Sequence, residues 1–506
     1  MPLLRVQRPA GDAVPETRTS PLAGMGIWPA RLLVFASSAA VLVIEIIAGR
    51  RGAPYVGVSL QTFTGIIGVV LAGVAGGAWL GGWLADRLPP RALLGPTFLV
   101  SGVLALAIPM IIDGLGPFLR AGRPFHIVVL TAASLLLPAL LLSAVPPMVT
   151  KLRLRSLTET GTVVGSLSAV STAGALIGTF VTGFVFVAAF PTRPIVLALG
   201  VTLALVGLAL MRSALSSRSM LAGSVLMVAA AVSIGRVPGP CQYQTEYFCA
   251  VVEVDAARPS GRTLYLDSLT HSYVDLDDPT YLRLNYSQNI ADVVRMLPDG
   301  PIDAVYIGGG GFTLPRYVRA VRPGSRATVL EIDGALVRLV ERDLGLVRSD
   351  DLRVAVGDAR LELPRHAARS TRLVIGDAFG GLSVPWHLTT REFIEQIDAT
   401  LAPDGMYVLN VIDYPPLGFA RAEVATLGAV FEHVAVVASV QHLLGYRGGN
   451  FILVGSHQPL PWERIQAALA ERGQYVSMDA SAREFAAGAE VLRDDHAPVD
   501  QLLTYR

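Results

Sequence analysis

A run of glycines and three acids stand just after short apolar runs in the second half of the chain, and they are the residues whose types and spacing fit a definite chemistry. Gly308, Gly309 and Gly310 follow the run Ala304 to Ile307, and glycine lets backbone approach a ligand with no Cβ in the way. Glu331, at the tip of the next run, is placed to accept both hydroxyls of a ribose. Asp358 with its small neighbour Ala359, after the third run, suits the exocyclic amine of adenine, and Asp377 closes the fourth. Together these describe a nucleoside site. The glycine run lacks the later glycine of G-x-G-x-x-G and no G-K-[ST] is present, which favours an adenosyl sulfonium over a dinucleotide or a nucleoside triphosphate.

Such residues need a scaffold that ends strand after strand at one edge. Strand-like runs at Ala304 to Ile307, Thr328 to Ile332, Leu352 to Val356, Leu373 to Ile375, Met406 to Val411, Val434 to Ala438 and Phe451 to Val454 are separated by helical segments such as Pro315 to Val321, Ala335 to Glu341 and Arg391 to Leu401. Alternation of this kind predicts a doubly wound α/β domain, a mostly parallel seven-stranded sheet with helices on both faces. In that architecture ligands bind beyond the carboxyl ends of the strands, where the strand order reverses. Before it, Glu246 to Val254, Arg262 to Asp267 and His271 to Leu276 read as short antiparallel strands, so residues 241–300 form a small β-subdomain with a linking helix and residues 301–506 the main domain.

The first half has a different character. The chain has 506 residues, of which 52% are hydrophobic, and its mean hydropathy of +0.51 is too high for a wholly soluble protein. After a polar tail over residues 1–28, apolar stretches near the roughly 20 residues that cross a bilayer recur at about 29–49, 58–84, 92–112, 126–150, 162–190, 194–212 and 219–235. They predict an α-helical membrane bundle of about seven spans over residues 29–236. Gly73, Gly77 and Gly81, and likewise Gly174, Gly178 and Thr182, form small-residue faces for close helix packing. The location is thus the plasma (inner) membrane, multi-pass, and the charge bias of the loops leaves the sidedness of the second half open. Glu45 lies at membrane depth, either on a transport path or paired with Arg50 or Arg51. A net charge of +1 with no basic block gives nucleic acid no footing as a partner. Cys241 and Cys249 lack the companions of a zinc site and can form one local disulfide in an oxidising compartment.

Over roughly Gln244 to Gly455 the sequence resembles the polyamine aminopropyltransferases, or spermidine synthases, in what looks like a membrane-fused branch. The resemblance rests on Gly308 to Thr313, Glu331-Ile332-Asp333, Gly357-Asp358-Ala359, Asp377-Ala378-Phe379-Gly380, and Leu266 to His271 leading to Tyr281-Leu282-Arg283. It implies the fold of S-adenosylmethionine-dependent methyltransferases. It also implies transfer of an aminopropyl group from decarboxylated S-adenosylmethionine, as co-substrate, to an amine, with no metal and no permanently bound cofactor. By position, Glu331 would hold the ribose, Asp358 with Ala359 the adenine, and Asp377 would be the general base. His271 stands where the family has glutamine, and His271, Tyr273, Tyr281 and Arg283 are candidates for contact with substrate. A short stretch, Gly81 to Arg91, separately resembles a loop of major-facilitator transporters.

The departures bear on substrate. The aspartate of the family's glycine loop is Gly311 here, the second acid of its D-x-x-D turn is Gly380, and the glutamate of its Y-H-E is Arg283. Three anionic partners for amines are gone, while Arg283 and Arg316 could meet a carboxylate, as on S-adenosylmethionine or an amino-acid-like acceptor. Asp275, Asp277, Asp278, Asp413 and Asp494-Asp495-His496 are potential replacements for the lost acids. The expected partners are a small amine or amino-acid-like acceptor and the lipid bilayer, with homo-oligomerisation open. Two alternatives to aminopropyl transfer stand: a methyltransferase on the same fold, and a transporter whose soluble domain senses or modifies its solute.

Overall fold

The computed structural model describes residues 25–119, 124–154, 156–213, 215–237, 239–267, 269–381 and 383–503. The polar tail falls almost wholly outside the described residues. Among the described residues seven helices are long and apolar enough to cross a membrane: Ile27–Val56, Leu60–Arg87, Pro90–Phe118, Pro124–Arg153, Leu157–Phe186, Thr192–Leu210 and Ser217–Arg236. Most overrun the expected spans, because a hydropathy count stops at charges such as Arg50 and Arg51 whereas the helical hydrogen-bond ladder does not. The glycine faces bring backbones together. A Cβ at Gly81 would lie 2.5 Å from the Ala144 carbonyl oxygen, and one at Gly178 would lie 2.7 Å from that of Ala39.

Arg50 and Arg51, the expected partners of Glu45, are committed elsewhere. Arg50 Nη2 donates to the Thr245 carbonyl at 2.6 Å, and Arg51 pairs with Asp113.

Twelve strands follow among the described residues. β1 (Tyr243–Gln244), β2 (Cys249–Asp255), β3 (Arg258–Leu266) and β4 (Leu269–Asp275) form a four-stranded antiparallel sheet in sequence order. A Cys241–Cys249 disulfide ties its start together. The main sheet contains β5 (Asp303–Ile307), β6 (Arg326–Glu331), β7 (Leu352–Val356), β8 (Thr371–Gly376), β9 (Leu401–Asp413), β10 (His433–Ser439), β11 (Gly449–Ser456) and β12 (Gln474–Met478). Their order is β12-β10-β11-β9-β8-β5-β6-β7. β7, β6, β5, β8 and β9 are mutually parallel, and β11, β10 and β12 are added antiparallel. The sheet therefore has eight strands where sequence predicts seven. The extra one, β12, is a half-exposed edge strand reading QYVSM, too short and polar to stand out beside the buried runs.

Helices cover both faces, burying Leu336, Val337 and Val340 against one and Phe393, Ile394 and Ile397 against the other. The strand order reverses at β5, whose neighbours are β6 and β8, so the glycine run leaves the sheet at its switch point. That edge faces the bundle. Leu60 N donates to Asp500 Oδ2 at 3.0 Å, Thr192 N donates to Gln244 Oε1 at 2.9 Å, and Gly381 lies against the backbone of Val58.

Candidate functional site

The glycine run is fixed by what surrounds it. Gly308 and Gly310 have φ of 92° and 47°, conformations that strain any side chain. A Cβ at Gly308 would lie 2.6 Å from the Asp377 carbonyl oxygen, and one at Gly310 would lie 2.8 Å from His271 Nδ1. Gly311, where the family pattern has an acid, is closed off by β4. Its N–H donates to Ser272 Oγ at 2.9 Å, and a Cβ there would come within 2.7 Å of Ser272 Cβ. The lost acid is thus excluded by packing. Arg316 reaches back to the carbonyls of Phe312, Leu344 and Gly311, which removes it as the carboxylate partner that sequence suggests.

Glu331 ends β6 almost wholly buried. Its Oε2 accepts the Gly309 N–H at 2.7 Å and its Oε1 that of Asp333 at 2.9 Å, while burial pushes its pKa up. Asp333 caps the next helix through the N–H groups of Ala335 and Leu336. Beyond β7, Asp358 accepts the Arg360 N–H at 2.8 Å and has His387 Nε2 at 3.0 Å from its other oxygen. Gly308, Gly310, Glu331, Asp358, Ala359, Asp377 and His271 line one cleft. At ≈80 Å³ it is too tight for a nucleoside without side-chain movement at its rim.

Asp377 and His271 also line a neighbouring cavity of ≈380 Å³, together with Arg283, Tyr286, Asn410 and Asn450. The two spaces meet at Asp377, His271 and Phe379. Asp377 Oδ1 accepts from Asn410 Nδ2 at 2.9 Å, and Asn410 Oδ1 accepts from Asn450 Nδ2 at 2.9 Å. Asp377 is half-buried where the two spaces meet. Burial raises its pKa to about 7, against the opposing hydrogen bonds from Asn410 and Tyr286. Burial likewise drives His271 down to about 4, so its imidazole is neutral at ordinary pH.

His271 reaches the site through a bulge. β3 pairs Leu264 with Ser272 and Tyr265 with Thr270, so His271 is the extra residue and breaks the alternation of β4. Tyr273 and Tyr281, expected beside it, line neither space. Tyr273 is buried with its hydroxyl donating to Asp255 at 2.9 Å, and Tyr281 lies under the Arg258 guanidinium at 3.9 Å. Arg283 does line the larger cavity and pairs with Asp255.

Three of the potential replacement acids have structural partners instead. Asp275 holds Arg258, Ser260 and the N–H groups of Asp277 and Asp278, Asp413 takes those of Tyr414 and Ala420, and Asp494 pairs with Arg360. Sequence reading missed Tyr286, His387, Asn410 and Asn450. Asn410 carried a signal, being an amide inside the apolar run MYVLNVI, and Asn450 abuts the similar run FILV.

A glycine turn and successive acids line a cleft at the carboxyl edge of a doubly wound α/β sheet, beside a second cavity. No family model matches the sequence. The chain is 32% identical over 133 residues to a polyamine aminopropyltransferase of Vibrio vulnificus, a match covering 26% of this chain and 44% of that one. It is 31% identical to the solved structure of a probable spermidine synthase from Corynebacterium glutamicum, covering 52% of this chain and 99% of that one, with a TM-score of 0.48. It is also 25% identical over 147 residues to an eEF1A lysine and N-terminal methyltransferase of Bos taurus, covering 27% of this chain and 21% of that one. The chain spans less than two thirds of the length of the curated relatives it matches. By sequence, part of the chain is similar to polyamine aminopropyltransferases.

Proposed function

We propose that the protein is a membrane-bound transferase that moves an aminopropyl group from decarboxylated S-adenosylmethionine, or a related adenosyl sulfonium, to an amine acceptor, with Asp377 as general base. The observation that carries this reading is the shared wall: one carboxylate, Asp377, borders both the nucleoside-type cleft and the adjoining cavity. An amine attacks only when neutral, so the reaction needs a proton acceptor next to the carbon being transferred. A carboxyl with its pKa raised to about 7 is matched to that task at physiological pH. Gly308, Gly309 and Gly310 would cradle the donor, Glu331 would take the ribose hydroxyls, and Asp358 with Ala359 the adenine. His271, neutral and wedged between the two spaces, would contact donor and acceptor without repelling the sulfonium. Purified full-length protein given the decarboxylated donor and amines should release methylthioadenosine.

A second reading has its own support. Gly311 leaves the donor's amino group without the family's acid, and relatives named as methyltransferases also match part of the chain. A methyltransferase would instead release S-adenosylhomocysteine from S-adenosylmethionine, so the two products separate the readings in one assay.

A further inference from the structure

The cavity beyond Asp377 is one-sided in its chemistry, and its role as the acceptor site rests on the proposed transfer reaction. Among the described residues Asp377 is the one carboxylate on its wall. The remaining polar lining includes the amides of Asn285, Asn410 and Asn450, the Tyr286 phenol, and the half-exposed guanidinium of Arg283. A diamine brings two ammonium groups. One gives up its proton to become the nucleophile, but the other stays charged, and a cation drawn out of water with no anion beside it is disfavoured. Neighbouring acids cannot serve it, because Asp255 is held by Tyr273 and Arg283 and Asp413 caps a turn.

The two absent acids differ in kind. At Gly311 packing against Ser272 forbids a side chain, whereas at Gly380 the nearest atoms to an added Cβ, Pro385 Cγ and Ser383 O, are 4.0 Å away. Gly380 also lies outside the left-handed region, so an aspartate would be accommodated there. Gly380, however, borders a separate space beside Val58, Leu60 and Phe63 and not the cavity beyond Asp377. In the lining of the cavity itself, at Arg283, the family's glutamate is replaced by its charge opposite. Arg283 engages Asp255 through Nη1, and an arginine fork carries five N–H donors.

We propose that the acceptor is a zwitterion, an amine whose other end bears an anionic group such as a carboxylate, and that Arg283 receives that group. In the step itself the amine lone pair forms a bond to the methylene carbon attached to the sulfonium. The carbon–sulfur bond breaks with its electrons left on sulfur as a neutral thioether, and the ammonium proton passes to Asp377.

The test compares putrescine with γ-aminobutyrate, which keeps the chain length and exchanges one amine for a carboxylate. With full-length protein and the decarboxylated donor, γ-aminobutyrate should exceed putrescine in kcat/KM by about tenfold or more. The variant Arg283→Glu should reverse that ratio while leaving the donor KM unchanged. Calorimetric binding of each amine in the presence of methylthioadenosine reads acceptor choice without turnover. If γ-aminobutyrate binds more tightly yet no amine yields methylthioadenosine, the transfer reading fails and the acceptor class stands. Tighter binding of putrescine to the wild type, or an unchanged ratio in the Arg283→Glu variant, overturns the proposal.

Discussion

Replacing Asp377 by asparagine separates chemistry from architecture more cleanly than any other single change. Asparagine is nearly isosteric and keeps an oxygen for Asn410 Nδ2, which now lies 2.9 Å from Asp377 Oδ1. The fold should persist while the proton acceptor disappears. General-base catalysis contributes about 10²–10⁴-fold, so kcat should fall by that range. Stability should move the other way. Asp377 has a pKa raised to about 7 from its ordinary value of 3.8, mainly by burial.

Below the unfolded value both states carry the proton and the group is neutral to folding. Between pH 3.8 and about 7 the unfolded chain ionises and the folded one does not, so stability falls, levelling off above about 7. The gap from 3.8 to about 7, at about 1.4 kcal/mol per pH unit, corresponds to about 4 kcal/mol at most. The variant lacks this loss. It should melt with the wild type near pH 4 and at a higher temperature at pH 8, followed by thermal melts in detergent across that range. Wild-type kcat/KM should rise about tenfold per pH unit and flatten near 7. A variant that keeps more than about a tenth of the activity, or a wild-type profile flat between pH 5 and 7, would refute the assignment of Asp377 as base.

Asn410→Leu removes a donor that favours the ionised carboxylate, so the midpoint of the wild-type pH profile should move upward, readable in the same kinetic series. Gly308→Ala places a Cβ 2.6 Å from the Asp377 carbonyl at a φ of 92°, and binding of methylthioadenosine measured by calorimetry should be abolished. Glu331→Gln keeps the shape but weakens hydrogen bonds of a charged acceptor worth about 1.5–3 kcal/mol, so the same ligand should bind roughly tenfold to a hundredfold more weakly. His271→Asn, which replaces an already neutral ring, should leave the pH profile in place, checked by the kinetic midpoint.

What the sequence discloses and what it hides divide along the range of the interactions. The seven spans are legible because bilayer thickness imposes a length on each apolar run. The glycine turn, Glu331, Asp358 and Asp377 are legible because each sits just after an apolar strand, a local pattern. Asn410, Asn450, Tyr286 and His387 are set beside those acids by folding across long separations, with only the amide of Asn410 in an apolar run to hint at it. Tyr273 misleads because alternation along β4 places it with His271, and a one-residue bulge undoes the alternation. β12 escapes notice because an edge strand needs only one buried face.

The edge of the sheet that carries the acids is turned toward the bundle, with the loop after β8 lying against the first helical turnaround and Arg50 bonded to Thr245. With the bundle in a bilayer, a cleft at that height would sample the interfacial layer more than the bulk. Where the facing leaflet is anionic, a surface potential of about −30 mV concentrates each unit of positive charge about threefold. The decarboxylated donor, with its sulfonium and its ammonium, is enriched about tenfold, while a zwitterion with no net charge is not. Protons are enriched as well, so the carboxyl of Asp377 would titrate against a surface about half a pH unit more acidic than the medium. Kinetics in charged vesicles and in neutral detergent should therefore differ in the apparent affinity for the donor and in the position of the pH midpoint, with the same polypeptide in both.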